Sequence, residues 1–410
     1  MKKKKREVRM IMAEPVIFHV DVNSAFLSWE AVYRLEILGE KLDIRTIPSV
    51  IGGDEEKRHG IVLAKSDAAK KCGISTAEPL VSARRKCPGL KVYPSNFSLY
   101  VEKSNAFIDL LRRFAPVVEQ FSIDEAFCDF SGTKALYGDP VLFAHQLKDM
   151  IKEELGFTVN IGISSNKLLA KMASDFEKPD KVHTLFLDEI EQKMWPLPVS
   201  DLLFVGKSSV RHLHDLGIFT IGDLAKSDVE LLKNHFKKHG EDMWKSANGI
   251  DETNLRDKED ANKGYGNSIT LPKDVTDREQ AHMILLSLAE TVGARLRADH
   301  AYISVVSVNI VDADFKHSSK QISLPSTTDI TEEIYQHACR LFDELWDSSP
   351  IRLLGIQTSK ATSENYVQYD LFQSEQNEKF SKLNAAIDQI RDRYGKDAVK
   401  RARFLSEENK

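Results

Sequence analysis

The chain has 410 residues, which at about 150 residues per domain corresponds to about two to four domains. Its 42% hydrophobic and 29% charged residues are ordinary for a soluble globular protein, and they exclude collagen and wholesale disorder. No apolar run reaches the roughly 18 residues of a membrane-spanning helix. The formal net charge is −5, from 57 Lys and Arg against 62 Asp and Glu, and taken alone it argues against nucleic-acid binding.

The four cysteines are scattered along the chain and form no C-x-x-C pair. They are Cys72, Cys87, Cys128 and Cys339. This spacing predicts neither a disulfide framework nor a zinc site, and it indicates a reducing compartment. We therefore expect a cytoplasmic protein without a membrane anchor.

Strands and helices follow one another in the first half of the chain. Residues 16–22 predict a buried strand, residues 97–114 a helix, and residues 117–130 two strands around a turn. A helix over 141–155 and a strand over 159–163 come next.

The second half is organised differently. Beyond Pro196 and Pro198, residues 199–250 predict short helices, and a polar linker follows. Residues 264–360 predict the order strand, helix, strand, strand, helix, strand, which suggests a small α+β domain with its helices on one face of a sheet. The tail, 363–410, predicts an amphipathic helix whose apolar residues are Phe380, Leu383, Ile387 and Ile390.

Three carboxylates stand at the ends of apolar strands: Asp21 and the neighbouring pair Asp124 and Glu125. A carboxylate in such a place is costly unless it is paired, hydrogen-bonded or bound to a cation. Successive strand residues point to opposite faces, so Asp124 and Glu125 converge only at a hairpin turn. Three carboxylates without His or Cys favour Mg²⁺ or Mn²⁺ over zinc. The alternative is that the acid doublet is a solvated loop.

A second segment, 162–179, predicts a strand end, a cap and a helix. Ser164 or Ser165 is a suitable N-cap, and Lys167 and Lys171 lie on the side opposite the apolar stripe. A helix N-terminus with a lysine in its first turn favours a bound phosphate. Carboxylates for metals and lysines for phosphates together indicate phosphoryl transfer from a nucleotide.

These motifs resemble those of the Y-family translesion DNA polymerases. The resemblance lies in Asp-Val-Asn-Ser-Ala-Phe-Leu-Ser-Trp-Glu (21–30), Ser-Ile-Asp-Glu-Ala-Phe (122–127) and Gly-Ile-Ser-Ser-Asn-Lys-Leu-Leu-Ala-Lys-Met-Ala-Ser (162–174). Their order and spacing match from about residue 15 to 360, and they look closer to the UmuC-like branch of Gram-positive bacteria than to DNA polymerase IV proper.

The resemblance implies a multidomain α+β fold, a right-hand polymerase with a small α+β little finger domain. The implied domains are a palm (15–24 and 92–185), fingers (25–91), a helix-hairpin-helix-like thumb (186–255), a little finger (263–362) and a tail (363–410). In the thumb hairpin, Phe204 stands where the family usually has glycine.

The resemblance also implies the roles of the acids. Asp21, Asp124 and Glu125 would be the catalytic carboxylates that bind two Mg²⁺ ions, with Mn²⁺ as a substitute, and Val22 would add its backbone carbonyl. The implied reaction is low-fidelity nucleotidyl transfer from a dNTP to the 3′-OH of a primer on template DNA, as part of a DNA damage response.

Three further residues match substrate-binding positions of the family. Phe26 occupies the steric-gate position, where an aromatic ring blocks a ribose 2′-OH; the alternative is ordinary helix packing. Lys167 and Lys70 match the positions that bind the triphosphate, and at Lys70 many relatives have arginine.

A short motif lies in the tail beyond the polymerase body. Gln368-Tyr369-Asp370-Leu371-Phe372 resembles the peptide with which proteins bind the bacterial sliding clamp. Gln368 would cap a pocket that Leu371 and Phe372 fill. We expect a monomer, and the sequence leaves a need for accessory subunits open.

Two other functions fit parts of the sequence. One is a non-catalytic DNA- and clamp-binding accessory protein with the same fold, and the other is a palm-type nucleotide cyclase, which would not need residues 264–360. The net charge does not exclude DNA because it averages over a patterned surface: residues 65–91 contain seven basic and two acidic residues, 7 − 2 = +5. We expect modest, strongly salt-dependent DNA binding helped by tethering to the clamp.

Overall fold

The computed structural model describes residues 15–55, 58, 60–255, 261–365 and 374–405. They divide into two compact units, residues 1–53 with 61–259 and residues 54–60 with 260–410. Within the described residues, no helix is long and apolar enough to cross a bilayer.

The first unit contains the predicted palm, fingers and thumb. Its strands and helices follow in this order: β1 (Ile17–Val22), α1 (Ala25–Glu36), β2 (Ser49–Gly52), β3 (Val62–Lys65), α2 (Asp67–Lys71), α3 (Leu80–Lys86), β4 (Lys91–Pro94), α4 (Phe97–Arg112), β5 (Val117–Gln120), β6 (Glu125–Asp129), α5 (Lys134–Tyr137), α6 (Pro140–Leu155), β7 (Val159–Ser164), α7 (Lys167–Ser174), β8 (Val182–Thr184), α8 (Ile190–Lys193), α9 (Lys207–Asp215), α10 (Ile221–Lys226), α11 (Val229–Phe236) and α12 (Lys238–Ala247).

Strand β1 is the centre of a five-stranded sheet in the order β5-β6-β1-β7-β8 and runs antiparallel to both of its neighbours. All six of its residues are buried. Because strand side chains alternate, Phe18, Val20 and Val22 face a core formed with α4 and α6. His19 and Asp21 face the other side, where they contact Ser174 and Lys171 of α7. The alternation therefore places the strand-end carboxylate of Asp21 under α7.

Helix α7 lies unusually close to β7, and Gly162 makes this possible. A Cβ atom at Gly162 would stand 2.0 Å from the carbonyl oxygen of Ala170 and 2.4 Å from the amide nitrogen of Ser174. Only a residue without a side chain permits this approach. The glycine thus fixes the distance of the whole helix from the sheet.

A smaller three-stranded sheet, in the order β3-β2-β4, carries the predicted fingers. Helices α2 and α3 cover a small apolar core that includes Val50, Val62 and Leu80. Ser66 caps α2 by accepting a hydrogen bond from the amide of Ala69. This cap sets the orientation of the helix that carries Lys70.

Short helices follow Pro198, as the sequence predicts, and pack around Leu213, Leu224 and Leu232. Phe204 stands at the turn before α9 with φ 66°, in the left-handed region that glycine usually occupies, and it is 72% exposed. Its backbone conformation is therefore the one that the usual glycine of the hairpin would adopt.

The second unit has the predicted order of strands and helices. Its elements are β9 (Gly266–Val275), α13 (Arg278–Ala298), β10 (Ile303–Asp312), β11 (His317–Thr328), α14 (Thr331–Leu345), β12 (Ile351–Ser359), α15 (Ser374–Tyr394) and α16 (Ala402–Leu405). The strands form an antiparallel sheet in the order β11-β10-β12-β9, and α13 and α14 pack together against it.

The predicted tail helix forms as α15, but polar groups hold its inner face. Leu383 is 47% exposed, whereas Asn384 is 2% exposed and donates a hydrogen bond to Glu332 of α14. Arg297 of α13 forms a salt bridge with Asp388. Phe380 and Ile387 of the apolar stripe are half-buried, whereas Leu383 and Ile390 are exposed, so the anchored face contains only part of that stripe.

Candidate active site

Six of the predicted site residues line one cleft of about 540 Å³ in the first unit. These six are Asp21, Val22, Phe26, Lys70, Asp124 and Glu125. The end of β1, the start of α1, helix α2 and the start of β6 deliver them. The structure therefore brings into one place residues that are about 100 positions apart in the chain.

The carboxylates meet at a hairpin, as predicted. Strand β5 ends at Gln120, β6 begins at Glu125, and the amide of Val22 donates a hydrogen bond of 3.0 Å to the carbonyl of Asp124. Asp21 and Glu125 are direct cross-strand partners. Asp124 lines the same cleft and accepts a hydrogen bond of 2.7 Å from the hydroxyl of Ser122.

Two lysines reach into this group of carboxylates. Lys171 Nζ lies 2.7 Å from Glu125 Oε1 and 3.2 Å from Asp21 Oδ2, and Lys178 Nζ lies 2.8 Å from the same Asp21 oxygen. Burial would lower the pKa of the Lys171 ammonium, but Asp21 and Glu125 outweigh that effect and raise its pKa. Lys171 is therefore a charged group inside the site.

The two paired acids titrate differently. Burial raises the pKa of Asp21 to about 6, although Lys178 and Lys171 act in the opposite direction. Burial would also raise the pKa of Glu125, but the nearby His19 ring and the hydrogen bond from Lys171 hold that pKa well below its usual range. His19 Nδ1 lies 2.8 Å from the hydroxyl of Ser174, and its Nε2 lies 3.7 Å from Glu125 Oε2.

The donor types fit a hard divalent cation, because carboxylate and carbonyl oxygens are the ligands that Mg²⁺ and Mn²⁺ prefer. Across the described ranges, however, no three His, Cys, Asp or Glu side chains already stand as a ligand set. Lys171 donates hydrogen bonds to one oxygen of Asp21 and one of Glu125, and the hydroxyl of Ser122 donates one to Asp124. A metal ion that binds these particular oxygens would compete with those donors.

Phe26 and Lys70 complete the cleft. The Phe26 ring stacks on Tyr100, with centroids 4.5 Å apart and an angle of 8° between the planes. Lys70 lies near Lys65, whose pKa is lowered by burial and by the Lys70 charge. Within the described part of the chain, Lys70 has no ion pair. The cleft thus combines acids, an aromatic wall and ammonium groups.

Comparison with known proteins decides the family. The model of the impB/mucB/samB family matches residues 20–175, and the model of that family's C-terminal domain matches residues 262–371. The chain belongs to this family. The DNA polymerase IV of Clostridium acetobutylicum is 49% identical over 96% of this chain and 99% of its own length. That of Acetivibrio thermocellus is 37% identical over 96% and 98%.

A solved structure agrees on the fold. A Y-family DNA polymerase chimera of Dbh and Dpo4 aligns with 85% of this chain and 100% of its own, with a TM-score of 0.72 and 21% identity. The predicted Y-family polymerase and its α+β right-hand fold are thereby confirmed. The names of the relatives, all DNA polymerase IV, give the predicted UmuC-like branch no support. The bounds of the single domains stay predictions.

Lys167, which the resemblance assigns to the triphosphate, does not line the cleft. Its Nζ donates a hydrogen bond of 2.6 Å to Glu119 and lies 5.0 Å from the centre of the Phe127 ring. It lines a separate cavity of about 240 Å³ together with Phe204 and Ile250. Glu119 on β5 holds Lys167 there, and the triphosphate-binding role of Lys167 stays a prediction.

The predicted phosphate seat at the start of α7 is also occupied by the protein itself. Asn166, not Ser164 or Ser165, is the N-cap and accepts a hydrogen bond from the amide of Leu169. The carboxylate of Asp251 accepts another from the amide of Leu168. These groups satisfy the helix N-terminus without a bound anion.

Sequence reasoning missed the two lysines that enter the site. Lys171 was expected on the side of α7 away from the apolar stripe, but its side chain is only 9% exposed because that side faces Asp21 and Glu125. Lys178 lies in Phe-Glu-Lys-Pro (176–179), directly after the motif that carries the resemblance. The feature of the sequence that could have identified Lys178 is its position directly before a proline, just beyond that motif.

Proposed function

We propose that the cleft is the nucleotidyl-transfer centre of a translesion DNA polymerase that binds primer–template DNA and a dNTP. The observation that carries the proposal is the joint lining of one cleft by Asp21, Asp124, Glu125, Phe26 and Lys70. Acids for metals, a cation for phosphate and an aromatic wall are what this reaction needs. No observation favours the non-catalytic alternative, and belonging to this family carries a general dependence on divalent metal.

Asp21, Asp124 and Glu125, with the carbonyl of Val22, would hold two Mg²⁺ ions. When bound, such ions lower the pKa of the attacking 3′-OH and stabilise the leaving pyrophosphate. The chain's part is to position the acids, which the β1–β6 register and the hairpin at Asp124 achieve. The choice of Mg²⁺ over Mn²⁺ belongs to the proposal.

For the triphosphate we propose Lys70 and Lys178 in place of Lys70 and Lys167. Both line the cleft, and they approach it from different segments, α2 and the turn before β8. The Lys178 side chain is 35% exposed, so part of it faces the open cleft while Nζ touches Asp21. Lysine binds phosphate as a point charge, so it tolerates the movement of a triphosphate during reaction.

Phe26 fits the steric-gate role because its ring cannot move freely. Tyr100 stacks on one face, and Phe97 packs edge-on with centroids 5.9 Å apart. Aromatic pairs of this kind add to the burial of the rings and restrict their rotation. A fixed ring in the wall of the cleft would exclude the 2′-OH of a ribonucleotide.

The clamp-binding role of Gln368, Leu371 and Phe372 remains a proposal from the sequence, since these residues lie outside the described residues. Its support is their position after β12, the last strand of the second unit, and before α15. Short peptides of this kind bind by filling pockets in a groove on a partner. We also propose that the protein is a monomer and acts in the cytoplasm.

Primer extension tests the proposal directly. With Mg²⁺ and dNTPs, the wild type should extend a primer on template DNA, and Asp124→Ala should lose at least about a hundredfold in rate, because metal-centred charge stabilisation is worth several kcal/mol. Asp129→Ala is the matched control, since Asp129 lies at the other end of β6 and does not line the cleft. Extension that survives Asp124→Ala would refute the assigned centre.

A further inference from the structure

Lys171 stands at the fifth position of α7, and its ammonium is surrounded by carboxylates. Nζ lies 2.7 Å from Glu125 Oε1, 3.2 Å from Asp21 Oδ2 and 3.4 Å from Asp175 Oδ2. The side chain is 9% exposed. An ammonium has three N–H donors, so three acceptors use its full capacity. The group is a buried internal cation of the site.

Asp21 and Glu125 need such a cation. They face each other across the β1–β6 pair, where like charges directly opposite one another are destabilising. Burial increases the repulsion, since water screens it less. Lys178 contacts Asp21 as well but makes no contact with Glu125, so among the described lysines Lys171 alone bridges the two.

In the proposed function, metal ions bind the same carboxylates of Asp21 and Glu125. Mg²⁺ coordinates carboxylate oxygens at about 2.0–2.1 Å, and its charge would repel an ammonium that binds the same carboxylates. An ion that binds Glu125 Oε1 or Asp21 Oδ2 therefore competes with Lys171 for that oxygen.

We propose that Lys171 is a positioning residue that substitutes for metal in the resting enzyme. It holds Asp21 and Glu125 in place before metal arrives, and it competes with the incoming ions for their oxygens. It thereby stabilises the metal-free site and weakens metal binding. The inference rests on the proposed function, because it takes these carboxylates as the metal ligands.

The test is Lys171→Met, which keeps the aliphatic stem and removes the charge. Mn²⁺ binding is measured by the electron paramagnetic resonance of free Mn²⁺, and the melting temperature Tm is measured with and without Mn²⁺. The variant should have a lower Tm without metal and a larger rise in Tm on adding Mn²⁺ than the wild type. The Mn²⁺ concentration that half-saturates the variant should be about tenfold or more lower than for the wild type, since a competing charge a few ångström away is removed.

Lys148→Met is the matched control. Lys148 is similarly buried, with a side chain that is 11% exposed, and it pairs with Asp149 and Asp180 without touching a candidate ligand. It should lose the same stability with and without Mn²⁺ and keep wild-type Mn²⁺ affinity. If Lys171→Met behaves like this control, Lys171 has only a packing role and the inference is overturned.

A double variant covers the case in which Lys171→Met does not fold. Lys171→Met with Glu125→Gln removes the unpaired negative charge together with the cation, so it should fold with a Tm closer to wild type. A double variant that also fails to fold would overturn the inference. If the wild type neither binds Mn²⁺ nor extends primers, the proposed function fails, whereas a wild type that does both beside an unchanged Lys171→Met affinity refutes this inference alone.

Discussion

Phe26 and Tyr100 lie face to face, with ring centroids 4.5 Å apart and planes 8° from parallel. Tyr100 is fully buried, whereas Phe26 is half-buried and lines the cleft. Tyr100 belongs to α4, which is part of the palm core, so the core fixes the orientation of the ring at the surface of the cleft. The wall that a nucleotide sugar would meet is therefore rigid.

We predict that Phe26→Ala raises ribonucleotide incorporation relative to deoxynucleotide incorporation by about a hundredfold, the discrimination that an apolar wall gives against an added hydroxyl. Single-nucleotide insertion with matched rNTP and dNTP measures the ratio of kcat/KM values. Phe26→Tyr is the control, because it keeps the ring and should keep the discrimination. An unchanged ratio in Phe26→Ala would remove the gate role and leave Phe26 as a packing residue.

Replacing Lys178 and replacing Lys167 should have different effects on the KM for dNTP. Lys178→Met should raise the KM for dNTP about tenfold or more, because it removes a charge-assisted contact worth about 1.5–3 kcal/mol. Lys167→Met should leave that KM within about twofold, since Lys167 is engaged by Glu119 outside the cleft. Steady-state insertion kinetics at fixed primer–template concentration compare the two. A raised KM in Lys167→Met alone would restore the original assignment.

The acids of the cleft could be predicted because each stands at or next to the end of an apolar strand, where a carboxylate is costly without a cation. The lysines could not be placed in this way. Lys167 and Lys171 share one side of α7, but Glu119 on β5 holds the first and Asp21 holds the second. Those partners lie on other strands. Which of the two lysines reaches the carboxylates of the cleft therefore depends on tertiary contacts, which the periodicity of the helix does not predict.

The second unit shows the same limit on a larger scale. The order of the six elements within 264–360 follows from the periodicity of the sequence, and the structure has that order. The anchoring of α15 follows only in part, because Leu383 and Ile390 of its apolar stripe are exposed while Asn384 and Asp388 make the polar contacts. The hydrogen bond to Glu332 and the salt bridge with Arg297 hold α15 in place, and polar pairs of this kind produce no periodic pattern in the sequence.

We predict that Gly162→Ala destabilises the first unit by about 1–3 kcal/mol or more, the cost of overpacking. Its Cβ would meet the backbone of α7 at Ala170 and Ser174, so the helix that carries Lys171 would have to move. Thermal or urea unfolding measures the effect, and primer extension should fall with it. Gly89→Ala is the control, because a Cβ there meets nothing within 4 Å. Equal stability of both variants would contradict the close packing of α7 on β7.

The last prediction concerns the tail motif. Replacing Gln368, Leu371 and Phe372 together with alanine should abolish stimulation by the sliding clamp, because burying the Leu and Phe side chains contributes about 1.5–3 kcal/mol each. Basal extension without clamp should stay unchanged, since the proposed catalytic cleft lies in the first unit and the motif belongs to the chain segment of the second. Extension on primed circular DNA with and without loaded clamp separates the two effects. Gln373→Ala with Gln376→Ala, just beyond the motif, is the control and should keep full stimulation. Equal stimulation of the triple variant would show that the motif is accidental and that any clamp tethering, which we expect to offset the modest DNA affinity of a chain with net charge −5, uses another contact.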